Sequence, residues 1–365
     1  MNPNLYVVSG ITDKNLKNFA NLPYKLYQND SNWVKVTEES VFSDFYINDK
    51  YLERGEKDIF IVMDNDTPVA RAAVSWDKES SLYLGEPTGF FSHFESINNT
   101  QVVKIIFDEI KKWFKTRKLK KIMGPMSAKL SDTRGLLVEG SGRPLFGMPY
   151  TPPYYIELLK SVGFEKAMYM SEFIVKLEQH YSRVASFAKL VRLRYSDIKI
   201  RFFDLKNFES EIVKIVDLYN EAWQRNWGFI PLNADELYDS SHEMKELLQY
   251  SMIVEHKGKV IGFQMIMPDI NQVIDVNGNV DLEKAKCLKS YRALFIGVHP
   301  KYRYKGIEAL IYDELLNRIC PEVGIEEIHI AWVLENNNNF RQEITNIVGK
   351  ENYSCKTYGL YVLNI

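Results

Sequence analysis

The 365-residue chain has little cysteine, no long apolar run and almost no net charge. Each shortage removes a class of protein. Cys287, Cys320 and Cys355 are odd in number and too widely spaced for a CxxC pair, so neither a disulfide framework nor a structural zinc site is indicated. No apolar run approaches the ~20 residues that span a bilayer. The start, Met1-Asn2-Pro3-Asn4-Leu5, lacks a basic stretch followed by an apolar one, so no secretory signal is expected and the expected location is cytoplasmic. A net charge of -2 gives no electrostatic case for nucleic acid or anionic membrane as the main partner. The 6 His (His93, His180, His242, His256, His299 and His329) show no metal-ligand spacing, and no metal is expected. A GxSxG elbow, a Walker loop and a GxGxxG fingerprint are all missing; Gly140-Ser141-Gly142 reads as a plain turn. There is no Pro- or Ser-rich linker.

What remains is a chain with 45% hydrophobic residues, 22 Tyr and 20 Phe, long enough for about two domains. It carries an internal echo. Ile59–Val74 reads as strand, polar turn at Asp64–Thr67, strand; Met252–Met267 has the same form, with its turn at His256–Lys259. Val162-Gly163-Phe164-Glu165 runs on to Phe173–Leu177, and Val348-Gly349-Lys350-Glu351 runs on to Leu360–Leu363. Each reads as a helix end marked by Gly, then a closing strand. Between the echoes lie amphipathic helices: Val103, Ile106, Phe107, Ile110, Trp113 and Phe114 share one face, and Ile307, Ile311, Leu315 and Ile319 share another. The basic run Lys111–Lys121 falls outside the first apolar face and reads as solvated. The expected fold is a mixed α/β layout in two similar domains, 1–185 and 186–365, with the junction within Gln179–Ser196.

One loop carries a chemical signal. Arg292–Val298 is a buried-type strand, and His299–Ala309 (HPKYRYKGIEA) opens the second amphipathic helix. A helix start leaves N–H groups unpaired and presents the positive end of its dipole, which suits a phosphate. Gly306 would let the backbone approach such a ligand, with Lys301, Arg303 and Lys305 adding charge. The bland alternative is a solvated basic turn.

Val298-x-Pro300-x-x-Arg303-x-x-Gly306 resembles the pyrophosphate-binding signature of the GCN5-related N-acetyltransferase (GNAT) superfamily. That pattern is Arg or Gln, two residues, Gly, one residue, then Gly or Ala. Arg303 and Gly306 match it, and Glu308 stands at the last position. The whole chain also resembles a group with two such domains in tandem, through Met148–Tyr155, Trp223–Pro231, Pro268–Gln272 and Gly306–Leu310, and Glu308 is usual there. The equivalent first-half loop, Glu95–Thr100, has neither Arg nor Gly, so the N-terminal domain reads as a degenerate copy that shapes the acceptor cleft.

The resemblance implies acyl transfer from acetyl-CoA or a longer acyl-CoA to a small or lipid-like amine by direct attack on the thioester. It implies a cofactor site of Phe295, Ile296, Gly297, Val298, Arg303, Tyr304, Lys305, Gly306, Ile307 and Glu308, with the Val298 N–H polarising the carbonyl. The Tyr that often serves as proton donor is missing, since Ile344 or Thr345 stands near its place. Glu335 is the substitute base, or an ordinary capping carboxylate. Asn337 contacts the CoA arm or caps a helix. Asp269 and Asn271 bind the amine or form an Asx-type turn. Trp223, Asn226 and Trp227, at i, i+3 and i+4 on a helix end, read as core or as a substrate platform; Tyr150 and Tyr154 line the acceptor groove or pack the junction. A catalytically silent CoA-binding sensor and an aminoacyl-tRNA-dependent transferase stay open as rivals.

Overall fold

The computed structural model describes residues 4–45, 55–127, 133–177, 180–275 and 277–365. Met1–Pro3, and Gln179 of the expected junction, lie outside them. In chain order the first half runs β1 (Leu5–Ser9), α1 (Asp13–Leu26), α2 (Glu38–Phe45), β2 (Gly55–Asp64), β3 (Thr67–Asp77), α3 (Lys78–Leu84), β4 (Thr88–Ser96), α4 (Thr100–Thr116), β5 (Lys121–Gly124), β6 (Leu136–Glu139), α5 (Tyr154–Ser161) and β7 (Glu165–Lys176). The second runs α6 (Ser182–Arg194), β8 (Ile198–Phe202), α7 (Phe208–Trp223), α8 (Ala234–Ser241), β9 (Met252–His256), β10 (Lys259–Pro268), α9 (Leu282–Ala285), β11 (Ser290–Val298) and α10 (Ile307–Asp313). A π-helical stretch (Glu314–Ile319), α11 (Cys320–Val323), β12 (Glu327–Leu334), α12 (Asn338–Val348) and β13 (Tyr353–Asn364) complete it. No helix among the described residues is long and apolar enough to cross a membrane.

Two compact units result: Met1–Tyr169 with Ile274–Asn279 and Thr357–Ile365, and Met170–Val273 with Val280–Lys356. In the first, the strand order is β1-β2-β3-β4-β5-β13, with β6 also on β13. In the second it is β7-β12-β11-β10-β9-β8. The closing strands thus serve opposite halves. Residues 170–176 of β7 pair with β12, and residues 357–364 of β13 pair with β5 and β6. The apolar pattern of a strand says that it is buried, not which of two like sheets receives it.

Both hairpins form where the sequence puts them. The turn between β9 and β10 places Lys257 (φ 50°) and Gly258 (φ 75°) in the left-handed region, as a type I′ hairpin requires. In the first unit, α4 buries Val102, Val103, Ile106, Phe107, Ile110 and Phe114 against the sheet, each worth about 1.5–3 kcal/mol. Asn99 caps it by accepting from the N–H groups of Gln101 and Val102. In the second unit Ile307, Ile311, Leu315 and Ile319 are all buried, as their i+4 spacing predicts.

At the lower end of the second sheet, His329 ties three strands together. Its Nδ1 lies 2.7 Å from Glu172 Oε1, and its Nε2 lies 2.8 Å from Glu327 Oε1 and 3.1 Å from Ser290 Oγ. Burial favours the neutral ring, but the hydrogen bonds to Glu172 and Glu327 outweigh it and raise the pKa to about 9. The hydrogen bond from His329 in turn holds the Glu327 carboxyl below its ordinary value. Since the folded pKa exceeds the unfolded one, the stabilisation is complete below about pH 6.5 and is lost as pH rises through 9. The stability gap between wild type and His329→Gln in urea unfolding should therefore reach on the order of 3 kcal/mol near pH 6 and shrink towards pH 10. A gap that stays constant across that range contradicts a charged His329.

Candidate active site

The site begins where two strands stop pairing. β11 and β12 run parallel from Ser290↔Glu327 to Ala293↔Ile330 and share no pairs beyond. Just there the register between β10 and β11 shifts: Met265 faces Phe295, Ile266 faces Ala293, and Leu294 is the extra residue of a β-bulge. β12 has its own shift against β7 between Ile330 and Val333. The strands part and a wedge opens between them.

The ladder also fixes which backbone groups face the wedge. The His299 N–H donates to Ile261 O at 2.9 Å, so Ile261 and His299 form a hydrogen-bonded antiparallel pair. Alternation then makes Gly262↔Val298 and Gln264↔Ile296 non-hydrogen-bonded pairs, whose N–H and C=O groups point away from β10. Ile296 agrees, because its carbonyl accepts from Trp223 Nε1 at 3.2 Å. The Val298 N–H therefore points into the split, where β12 no longer offers a partner.

The wedge widens into a cleft of about 1020 Å³. Phe295–Val298 form one wall and Ile330–Leu334 the other, with the end of α7, the rim of α6, the start of α10 and one face of α12 around them. The loop after β11 is pinned on several sides. His299 Nε2 lies 3.0 Å from Glu221 Oε2, Tyr302 OH lies 2.7 Å from His256 Nδ1, and the Arg303 guanidinium donates to Ala222 O. Gly306 has φ 82°, and a Cβ there would lie 2.7 Å from Val191 Cγ2 and 3.0 Å from the Phe187 ring. Helix packing and a left-handed backbone thus require this glycine, in addition to any approach by a ligand.

Glu308 turns into the cleft. Burial raises its pKa, with the nearby Arg303 charge pulling the other way. On the facing α12, burial and then the Glu308 charge raise Glu343 to about 7. Tyr312, from α10, lines the same wall; burial first, then Glu343 and Glu308, raise its hydroxyl well above 10. Behind the cleft lies an apolar side chamber of about 60 Å³, with Ile296, Tyr312, Ile330 and Glu343 lining both spaces. At roughly 10–15 Å³ of such space per water-sized group, it holds roughly four to six. Leu315, Ile328, Ile344 and Val348 wall it, together with Gln264, 4% exposed, whose Oε1 has no hydrogen-bond partner among the described residues.

Of the residues singled out in the sequence, Phe295, Ile296, Gly297, Val298, Arg303, Tyr304, Gly306, Glu308, Trp223, Asn226 and Asn337 line the cleft. Lys305, Ile307, Glu335, Trp227, Asp269 and Asn271 do not. Ile307 is wholly buried in the core, and Lys305 lies over the Tyr302 ring. Asp269 and Asn271 are buried at the 3-10 turn after β10, where Asp269 accepts from Gln272 Nε2. Tyr150 and Tyr154 belong to the first unit, bonded to Asp30 and to Ser96 O respectively. Asn337 caps α12 by accepting from the Phe340 N–H. α7 ends at Trp223, so Asn226 and Trp227 sit in the turn beyond it rather than on one helical face, and Gly228 (φ 66°) continues that turn. Trp223 packs against Tyr219 and Phe295.

Glu343 and Tyr312 escaped the sequence reading. The signal for Glu343 was one acid among Phe340, Ile344, Ile347 and Val348, the apolar stripe of α12. In the first unit the loop without a signature has a different use. Glu95 accepts from Tyr155 OH at 2.7 Å and from Tyr27 OH, with Arg71 at 3.8 Å. Among the described residues no cluster of three His, Cys, Asp or Glu is placed to hold a metal.

A mixed sheet whose central parallel strands split beside a strand–loop–helix turn is the GNAT fold, and this chain has it in tandem. A tandem GNAT protein from the clavulanic acid biosynthesis pathway superimposes with a TM-score of 0.56 at 10% identity, covering 99% of this chain and 98% of that one. By sequence the chain is 26% identical to Protein YghO of Escherichia coli, over 96% of this chain and 93% of that protein. It is 23% identical to a bacterial ceramide synthase of Caulobacter vibrioides, over 99% and 97%. No protein-family model matches.

Gly306→Ala should cost about 1–3 kcal/mol, because a side chain there meets both a left-handed φ and Val191. Urea unfolding checks it, and the double variant Gly306→Ala/Val191→Ala should recover part of the loss if contact with α6 contributes.

Proposed function

We propose that the chain is an N-acyltransferase that takes its acyl group from a CoA thioester and gives it to a small or lipid-like amine. The observation that carries this reading is the Val298 N–H, turned off its ladder into the split between β11 and β12. A carbonyl oxygen seated there meets a rigid donor, and such a donor is worth most where negative charge develops. The Arg303–Glu308 turn is the candidate seat for the pyrophosphate. Its departure from the GNAT pattern, Glu308, lies close enough to Arg303 for that charge to favour the carboxylate, and the same cation offsets repulsion between the carboxylate and a phosphate.

Glu343 and Tyr312 supply the proton chemistry. The Glu343 carboxylate takes a proton from the incoming ammonium and leaves a neutral amine. The amine nitrogen attacks the thioester carbon, and charge collects on the oxygen at Val298. As the C–S bond breaks, Tyr312 passes its hydroxyl proton to the departing thiolate and takes up the second nitrogen proton, so it ends the step neutral as its high pKa requires, and Glu343 releases the first proton to solvent. Glu335, away from the cleft lining, is not needed. A carboxylate and a hydroxyl so tuned beside the split speak against a silent CoA sensor. The side chamber suits an acyl group longer than acetyl, and the likeness to a bacterial ceramide synthase supports a lipid-like acceptor.

Release of free thiol from acyl-CoAs of rising chain length, with long-chain amines as acceptors, tests the reading. Wild-type kcat/KM should rise with pH and level off above about 7, because the base must be deprotonated. Glu343→Gln should lose roughly 10²–10⁴-fold in kcat and that pH dependence with it. Binding of CoA without turnover of any donor would leave a sensor in place of the enzyme.

A further inference from the structure

The apolar side of α6 that faces solvent has no use in the acyl-transfer chemistry. This helix buries Val184, Ala188 and Val191. On the side away from them, spaced by i+3, stand Phe187 (52% exposed), Leu190 (61%) and Leu193 (74%). Single exposed leucines are ordinary, but a ridge of three on one helix is not. α6 also carries Arg183, Lys189, Arg192 and Arg194 and no acid. Arg192 is engaged by Asp313 at 2.7 Å, while Arg183, Lys189 and Arg194 have no ion-pair partner among the described residues. The ridge extends into the loop before α10, since Phe187 lies against Gly306. There Tyr304, 93% exposed at φ 59°, projects between exposed Lys301 and Lys305.

We infer that α6 and the Tyr304 loop form a docking surface for an anionic lipid bilayer, on which the protein rests without crossing it. Aliphatic and aromatic side chains interleaved with basic ones alone are the pattern of a helix lying in the interface: the apolar ridge enters the acyl boundary and the cations meet lipid phosphates and carboxylates. A net charge of -2 for the whole chain does not oppose this, because surface attraction fades within about 8–10 Å and is set by the local patch. Arg183, Phe187 and Tyr304 also line the cleft, so docking would present its mouth to the membrane. The docking stands independently of the transferase reading; if both hold, the acceptor enters from the bilayer.

Sedimentation of the full chain with phosphatidylcholine vesicles, with and without about one third phosphatidylserine, tests it. The anionic vesicles should bind at least about tenfold more protein, with the difference falling as salt rises. Leu190→Glu/Leu193→Glu should lower that binding by about tenfold or more, and Lys189→Gln/Arg194→Gln should weaken both the binding and its salt dependence. All four residues are exposed, so circular dichroism and turnover of a soluble amine should stay at wild-type values. No binding of wild type to anionic vesicles, or wild-type binding by the Leu190/Leu193 variant, overturns the inference. So does failure on vesicles combined with capture of a purified acidic acyl carrier protein that these variants abolish, which assigns the patch to a protein.

Discussion

Everything at the site depends on β11 and β12 ceasing to pair after Ala293 and Ile330. A parallel pair continued to Val298 would bury the backbone groups that now face the wedge and would close both the cleft and the chamber behind it. The bulge at Leu294 holds the parting open, because it keeps β11 on β10 while turning it off the line of β12. β12 stays anchored to β7 on its other edge. Below the split, the His329 cluster ties β7, β11 and β12 together. The wedge therefore has a fixed hinge and free upper edges, which places a rigid donor in a cleft that apolar and polar side chains line together.

The carboxylates follow from that burial. Glu308 and Glu343 enter the cleft from facing helices, both partly buried, and burial raises both pKa values. The charge on Glu308 makes a second charge on Glu343 more costly, which adds to burial in raising Glu343. On the proposed function, that burial brings Glu343 to about 7, where a base is effective near neutral pH.

Much of the fold was legible in the residues. The two hairpins, the faces of α4 and of the helix from Ile307, and the strand–loop–helix at Arg292–Ala309 are local patterns, and local patterns survive folding. The exchange of closing strands was not legible, since Phe173–Leu177 and Leu360–Leu363 carry the same apolar code and only pairing distinguishes them. Nor was the end of α7: Trp223, Asn226 and Trp227 keep a helical spacing that the turn beginning at Gln224 interrupts. The cleft wall was read best where it is backbone, as at Phe295–Val298. It was read worst where it is a side chain arriving from a distant helix, as with Tyr312 and Glu343.

Gly306 shows why a motif and its physical cause can part company. A glycine at a phosphate turn is read as room for a ligand, yet here the room is taken by Val191 and Phe187 from α6. The helix that demands the glycine is the one that carries the exposed apolar ridge, so loop, cleft rim and ridge form one packed piece. A shift of α6 would move Phe187 against Gly306 and, through the pinned turn at Arg303 and Ala222, the rim of the cleft. Whatever holds the outer face of α6 therefore bears mechanically on the site behind it, through contacts that are already in place.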